Sequence, residues 1–294
     1  MPKTEKTEQN IALYRKYRPE TFEDVIGQDH IVKAIEGAFE SGKVAHAYLL
    51  SGPRGTGKTT IARIIARTLG SSVNDIYEMD AASNRKIEDA RDIRESVRTM
   101  PFDSKYKVYI LDEVHMLTKE AWNALLKTIE EPPAHVIFIL ATTELEKVPE
   151  TIVSRCQTFV FKKPTDAILA EVITRVAKKE GYTLAEGGAE LIALLASGAF
   201  RDALGTLQKV ISYSKDKKIT LKEIESVTGA PEASLVHSFL DALASNDIEK
   251  GYTAIRTASD QNIEMLIFLK MILAKLRYAL MLRYAPDSTT YLSE

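Results

Sequence analysis

The densest chemistry in the chain lies in one run, Gly52-Pro53-Arg54-Gly55-Thr56-Gly57-Lys58-Thr59. Its spacing is G-x-x-x-x-G-K-[ST]. Glycines at these offsets let the backbone wrap a phosphate, with successive N–H groups pointing inward. Lys58 can then reach the β- and γ-phosphates, and the Thr59 hydroxyl can ligate Mg²⁺. The spacing predicts a helix from Lys58, with Thr60 in its first turn, and the positive end of its dipole favours the same anion. A glycine-rich turn without a ligand is the competing reading. An apolar run before the motif, Ala47–Ser51, and the amphipathic TTIARIIARTL after it argue for a phosphate loop.

A second constellation follows. Val108-Tyr109-Ile110-Leu111 reads as a buried strand that ends in Asp112-Glu113. Such a strand end can deliver a carboxylate, here Asp112, to a phosphate-bound metal. Glu113 beside it can orient and activate water against a γ-phosphate, which favours hydrolysis over transfer to a metabolite. A third apolar run, Val136–Ala141, ends in Thr142 and Thr143. A hydroxyl there could position the attacking water. A plain β-branched strand end fits equally well, and the residues alone leave the two open.

The elements that must hold these groups are legible as patterns. Strand-like runs at Ala47–Ser51, Ile76–Asp80, Lys107–Asp112, Val136–Thr142 and Gln157–Phe161 alternate with helical patterns at 28–40, 58–69, 87–100 and 118–130. This alternation predicts an α/β domain with a parallel five-stranded sheet covered on both faces. After Lys163-Pro164 the strand runs stop. Helical patterns follow at 166–180, 188–197, 201–213 and 221–228, then at 232–244, 248–258 and, as a long amphipathic helix packed into a core, 263–283. The expected layout is a flexible leader 1–10, an α/β domain 11–163, a small helical domain 164–228 and a final helical segment 229–294.

Composition bounds the class. The chain has 294 residues, 45% hydrophobic and 27% charged, with a net charge of −2. These values exclude a disordered chain. One cysteine, Cys156, excludes a disulfide scaffold and a four-cysteine zinc site. It reads as a small buried hydrophobe. The most apolar stretch, 265–282, is interrupted by Lys270, Lys275 and Arg277, so no membrane span is expected. Without a signal peptide, a cytoplasmic protein is expected. His30, His46, His115, His135 and His237 have no metal-ligand spacing and read as structural.

With Tyr14-Arg15-Lys16-Tyr17-Arg18-Pro19, Val25-Ile26-Gly27-Gln28, Asp80-Ala81-Ala82-Ser83-Asn84, Leu126–Pro133, Ser154-Arg155-Cys156 and Gly198–Leu204, the sequence resembles the AAA+ clamp-loader family. The resemblance is dense from about residue 11 to 228 and loose beyond. It implies a P-loop AAA+ domain, a helical lid at 164–228 and a collar-like segment at 229–294. It implies ATP and Mg²⁺ as cofactors, with Lys58, Thr59, Asp112 and Glu113 as nucleotide and metal residues. Thr143 takes the place of a sensor, Arg201 that of a second sensor on the lid, and Arg155 that of an arginine finger acting on a neighbouring subunit. Arg18, Pro19, Val25 and Ile26 match the adenine pocket. The implied partners are other loader subunits in a pentameric-type assembly, a sliding clamp and primer-template DNA, inside a DNA-directed DNA polymerase complex whose reaction is nucleotidyl transfer. No membrane partner is implied. Asn84, Arg85 and Lys86, expected to open the helix after the second strand, match the DNA-facing side, with a solvated helix start as the alternative.

Two departures stand out. That family commonly inserts a four-cysteine zinc module where Leu69–Asp75 lies here, so no zinc is expected. Its collar usually has more helices than 229–294 supplies, so an incomplete collar is expected. Two other readings stay open: a non-catalytic scaffold subunit, and a different AAA+ DNA-remodelling machine such as a branch-migration helicase.

Overall fold

The computed structural model describes residues 11–284. The expected leader 1–10 and residues 285–294 of the expected collar lie outside the described residues. The first elements in chain order are α1 (Leu13–Lys16), α2 (Asp29–Glu40), β1 (Ala47–Ser51), α3 (Lys58–Thr68), β2 (Ile76–Asp80), α4 (Ile87–Ser96) and β3 (Lys107–Asp112). Then come α5 (Lys119–Glu130), β4 (Val136–Thr142), α6 (Glu150–Val153), β5 (Gln157–Val160), α7 (Asp166–Lys179), β6 (Thr183–Leu184) and α8 (Gly188–Ala196). The chain continues through α9 (Phe200–Tyr213), β7 (Lys218–Ile219), α10 (Leu221–Thr228), α11 (Ala233–Ser245), α12 (Ile248–Asp260) and α13 (Met265–Tyr284). They form two compact units, Arg18–Lys163 and a second that joins the described residues before Arg18 to those after Lys163.

In the first unit five parallel strands run in the order β2-β3-β4-β1-β5. Every residue of β1 and β4 is buried. Burial on both faces explains their unbroken apolar character. Successive side chains point to opposite faces. Leu49, Leu111 and Leu140 pack with Trp122, Leu125 and Ile129 of α5, while Leu50, Ile110 and Ile139 pack with Ile31, Ile35, Ile61 and Ile65 of α2 and α3. Between α3 and β2 a short turn, Val73–Asp75, ends in a buried carboxylate. Asp75 accepts the Phe102 N–H at 2.6 Å and the Asp103 N–H at 3.1 Å. Burial alone would raise this carboxyl, but those backbone donors hold it well below the usual carboxylate range.

In the second unit α7 to α10 pack around a two-stranded parallel pair, β6-β7. The expectation that strands stop after Pro164 is therefore corrected; two-residue strands are too short to show alternation. The expected α/β domain 11–163 is corrected at its start, since residues 11–17 belong to the helical unit. Its contacts explain why. The Leu13 N–H donates to the Gln208 side chain at 3.0 Å, and Lys16 and Tyr17 both donate to Glu180. The amphipathic reading of the last helix is also corrected. Only Phe268, Met271 and Ile272 of α13 are buried, while Leu266, Leu269, Leu273, Tyr278, Leu280 and Leu282 are exposed. Apolar residues stand all round the helix, so no single polar face separates from a core face. Among the described residues no helix is long and apolar enough to cross a membrane.

Candidate functional site

The loop between β1 and α3 is shaped by three glycines in the positive-φ region, Gly52 (144°), Gly55 (75°) and Gly57 (104°). Gly57 is the left-handed residue that caps the start of α3. Gly52 meets a tighter demand. A Cβ there would lie 2.6 Å from the Phe161 carbonyl oxygen and 2.8 Å from its Cβ. The backbone is fixed on both sides, because the Gly52 N–H donates to Thr142 O and the Phe161 N–H donates to Ser51 O. Thr56 is buried and donates to Pro53 O at 2.8 Å. Lys58 is only 6% exposed and donates to Gly52 O at 2.8 Å and Pro53 O at 3.0 Å. Its ammonium thus closes the loop from inside. Arg54 is exposed, and Pro53 and Thr60 are half-buried.

The two predicted motifs meet directly. Thr59 Oγ1 donates to Asp112 Oδ2 at 2.6 Å. Asp112 Oδ1 accepts the N–H of Glu113 at 3.0 Å. Glu113 sits in the left-handed region, with φ 50°, where the strand breaks into a short turn, Val114–Met116. Thr143 Oγ1 donates to Glu113 Oε2 at 3.1 Å. The phosphate loop, the acidic pair and the second threonine therefore form one continuous hydrogen-bonded chain. The Thr59 and Asp112 oxygens are hard donors that suit Mg²⁺. Among the described residues no group of three or more His, Cys, Asp or Glu side chains could hold a metal, so a cation here would depend on ligand phosphates as well.

The sequence reading missed part of this cluster. His115, whose spacing predicts a structural role, has a side chain only 7% exposed that faces both Glu113 and Glu144. The Lys147 ammonium bonded to Glu144 is the main reason that carboxyl sits below its ordinary range. A lone histidine two residues after the acidic pair carries no ligand spacing, so no pattern could have flagged it. Gln28, a motif residue at the start of the helical pattern 28–40, lies just before α2. It is buried and clamps Lys162 by donating to its carbonyl at 2.7 Å and accepting its N–H at 3.3 Å.

The remaining predicted residues lie elsewhere. In the same unit, Arg18, Pro19, Val25 and Ile26 form the irregular lead into α2, where Val25 packs against the core beneath it. The helix after β2 starts at Ile87, so Asn84, Arg85 and Lys86 precede it instead of opening it. Asn84 bonds back to Asp80 O, while Arg85 and Lys86 are exposed. Arg155 follows α6 and pairs with Glu130 at 2.9 Å while donating to Thr151 O at 2.7 Å. Burial pushes the neighbouring Cys156 thiol up to about 11, so it is uncharged at neutral pH. In the helical unit Arg201 is exposed at the start of α9, its guanidinium 5.5 Å from the Tyr14 ring centre.

Comparison with known proteins gives a consistent picture. A family profile described as DNA polymerase III, delta subunit, matches residues 71–165, and one described as magnesium chelatase, subunit ChlI, matches residues 21–109. The DNA polymerase III subunit gamma of Buchnera aphidicola subsp. Schizaphis graminum is 38% identical, covering 93% of this chain and 81% of that protein. The DNA polymerase III subunit tau of Bacillus subtilis is 39% identical over 94% of this chain but only 52% of its own length. For the gamma/tau subunit of Mycoplasma pneumoniae the figures are 38%, 90% and 42%. The chain thus spans about half the length of several curated relatives it matches. Among solved structures, the Thermotoga maritima RuvB Holliday junction branch migration motor aligns with a TM-score of 0.62 at 24% identity, covering 77% of this chain and 79% of that one. At that identity the likeness is one of fold.

Proposed function

The chain belongs to the DNA polymerase III gamma/tau family of AAA+ clamp-loader subunits, and from that membership we propose that it is an ATP-hydrolysing motor subunit of a sliding-clamp loader in the cytoplasm. What supports the reading most is the unbroken path from Thr59 through Asp112 to Glu113 and Thr143, which joins a phosphate cradle to a water-activating carboxylate.

In this proposal ATP phosphates lie along the loop 52–59. Lys58 exchanges the Gly52 and Pro53 carbonyls for β- and γ-phosphate oxygens. Thr59 and Asp112 hold Mg²⁺, which when bound neutralises charge on those phosphates. Glu113 accepts a proton from water as the water oxygen attacks the γ-phosphorus. The bond to the β-phosphate oxygen breaks, and ADP and phosphate leave. Thr143 and Arg201 sense the γ-phosphate, with Arg201 carried by the lid 164–228. Arg18, Pro19, Val25 and Ile26 line the adenine pocket. Arg155 reaches a neighbouring subunit's site, so hydrolysis awaits assembly. The segment 229–294 forms collar contacts with other loader subunits, while Arg85 and Lys86, with Asn84, face primer-template DNA. Nucleotidyl transfer is not assigned to this chain, whose residues serve attack by water.

The test is steady-state ATP hydrolysis by the chain mixed with its partner loader subunits, with and without sliding clamp and primer-template DNA. Strong stimulation by clamp plus primed DNA is expected, abolished by Lys58→Ala. An assembled complex that binds ATP without stimulation refutes the loader reading. No nucleotide affinity at all refutes the motor reading in favour of a scaffold subunit.

A further inference from the structure

Behind Glu113 two hydrogen bonds converge on the Thr142 hydroxyl, and a carboxylate flanks the imidazole they hold. The Glu144 N–H donates to Thr142 Oγ1 at 3.0 Å. The same Thr142 hydroxyl bonds His115 Nδ1, also 3.0 Å away. The other ring nitrogen, Nε2, lies 3.2 Å from Glu144 Oε1. Lys147 anchors the second oxygen of Glu144 at 2.7 Å. Thr142 is fully buried at the end of β4. The Thr142 bond on one side and the Glu144 carboxylate on the other hold the edge that the imidazole turns to Glu113.

That edge faces the acidic pair. Nδ1 stands 3.4 Å from Glu113 Oε2. At that distance the imidazole edge stands against the carboxylate and limits where Oε2 can turn. Thr143 meanwhile donates to the same Oε2 at 3.1 Å. The carboxylate is thereby limited to a rotation in which Oε2 points to Thr143, and Oε1 takes no part in these contacts.

We propose that His115 is a positioning residue for Glu113. Locked by Thr142 and Glu144, it holds the carboxylate so that Oε1 is the oxygen turned to the attacking water. His115 touches neither water nor nucleotide and acts through Glu113 alone. The inference rests on the ATPase reading above and adds a residue that the motifs do not contain.

The test uses the complete loader assembly with clamp and primer-template DNA, and measures single-turnover ATP hydrolysis beside nucleotide affinity. His115→Ala is expected to slow the single-turnover rate by about 10- to 100-fold, the scale of a misplaced reactive group, with the Kd changed less than about twofold. Glu144→Gln should give a smaller loss, because the amide keeps the size of the group beside Nε2 and removes only its charge. In a Glu113→Gln background neither change should slow the residual rate further, since both act through the missing carboxylate. An equal further loss in that background overturns the proposal, as does a Kd that rises in step with the fall in rate. If His115→Ala fails to assemble, Glu144→Gln in the two backgrounds carries the same comparison. Full activity in Glu113→Gln overturns the base assignment and this proposal with it. Loss there beside full activity in His115→Ala and Glu144→Gln overturns the positioning role alone.

Discussion

Gly52→Ala and Gly57→Ala separate two reasons for glycine in the phosphate loop. Both positions have positive φ, 144° and 104°. A side chain in such a conformation costs about 1–3 kcal/mol. Only Gly52 also faces a wall, since its new Cβ would lie 2.6 Å from Phe161 O, whereas at Gly57 nothing lies within 4 Å. The wall is backbone pinned by the Phe161-to-Ser51 hydrogen bond, so relief requires β1 and β5 to part. Overpacking of this kind adds about 1–3 kcal/mol. Gly52→Ala should therefore cost about 2–6 kcal/mol and Gly57→Ala about 1–3. At about 2–4 °C per kcal/mol for a chain of this size, Gly52→Ala should melt roughly 2–12 °C below Gly57→Ala. The sole tryptophan, Trp122, is buried on α5 of the same unit, so its fluorescence follows this melt specifically. Equal melting of the two variants would refute the argument that Phe161 excludes a side chain at position 52.

Two further outcomes are expected. Asp75→Asn removes a buried charged acceptor and should lower stability at neutral pH by about 1.5–3 kcal/mol. Because the folded-state carboxyl is depressed, its contribution is present above the unfolded value near 4 and is lost as pH falls below it. Urea unfolding at pH 7, 5 and 3 should thus show the gap between wild type and variant unchanged from 7 to 5 and beginning to narrow at 3, and a constant gap would refute the linkage. Arg155→Ala should leave folding and nucleotide affinity nearly intact, since an exposed pair such as Arg155–Glu130 contributes about 0–1 kcal/mol. In the assembly it should slow hydrolysis by about 10³-fold or more, and equal losses of binding and rate would make Arg155 structural.

The phosphate loop was legible because its chemistry and its context are both local. Spacing, a preceding apolar run and a following helical period lie within two dozen residues. The acidic pair was legible for the same reason, with buried strand β3 pointing at it. What escaped the sequence depends on distance along the chain. Residues 11–17 carry no mark of their preference for the helical unit, because their partners are Glu180 and Gln208. His115 gains meaning only through Thr142 and Glu144, which another strand brings beside it. The two-residue strands β6 and β7 pair through registers such as Leu184 with Ile219, too short for any period to appear. The last helix misled for another reason, since apolar content was read as a buried stripe when the residues encircle the axis.

The place of β1 in the sheet has a consequence for biosynthesis. The strand that bears the phosphate loop is made early, yet both its neighbours come late: Ala47 pairs with Phe138 and Tyr48 with Gln157. While the ribosome synthesises the intervening stretch of roughly 100 residues, about 5–20 s at cellular rates, Ala47–Ser51 has no edge to pair with. Its five buried residues then present an apolar segment to chaperones, and the nascent chain acquires a nucleotide cradle only once Phe161 has left the exit tunnel. Translation pauses before that point should raise the aggregated fraction, whereas pauses after Phe161 has emerged should leave it unchanged.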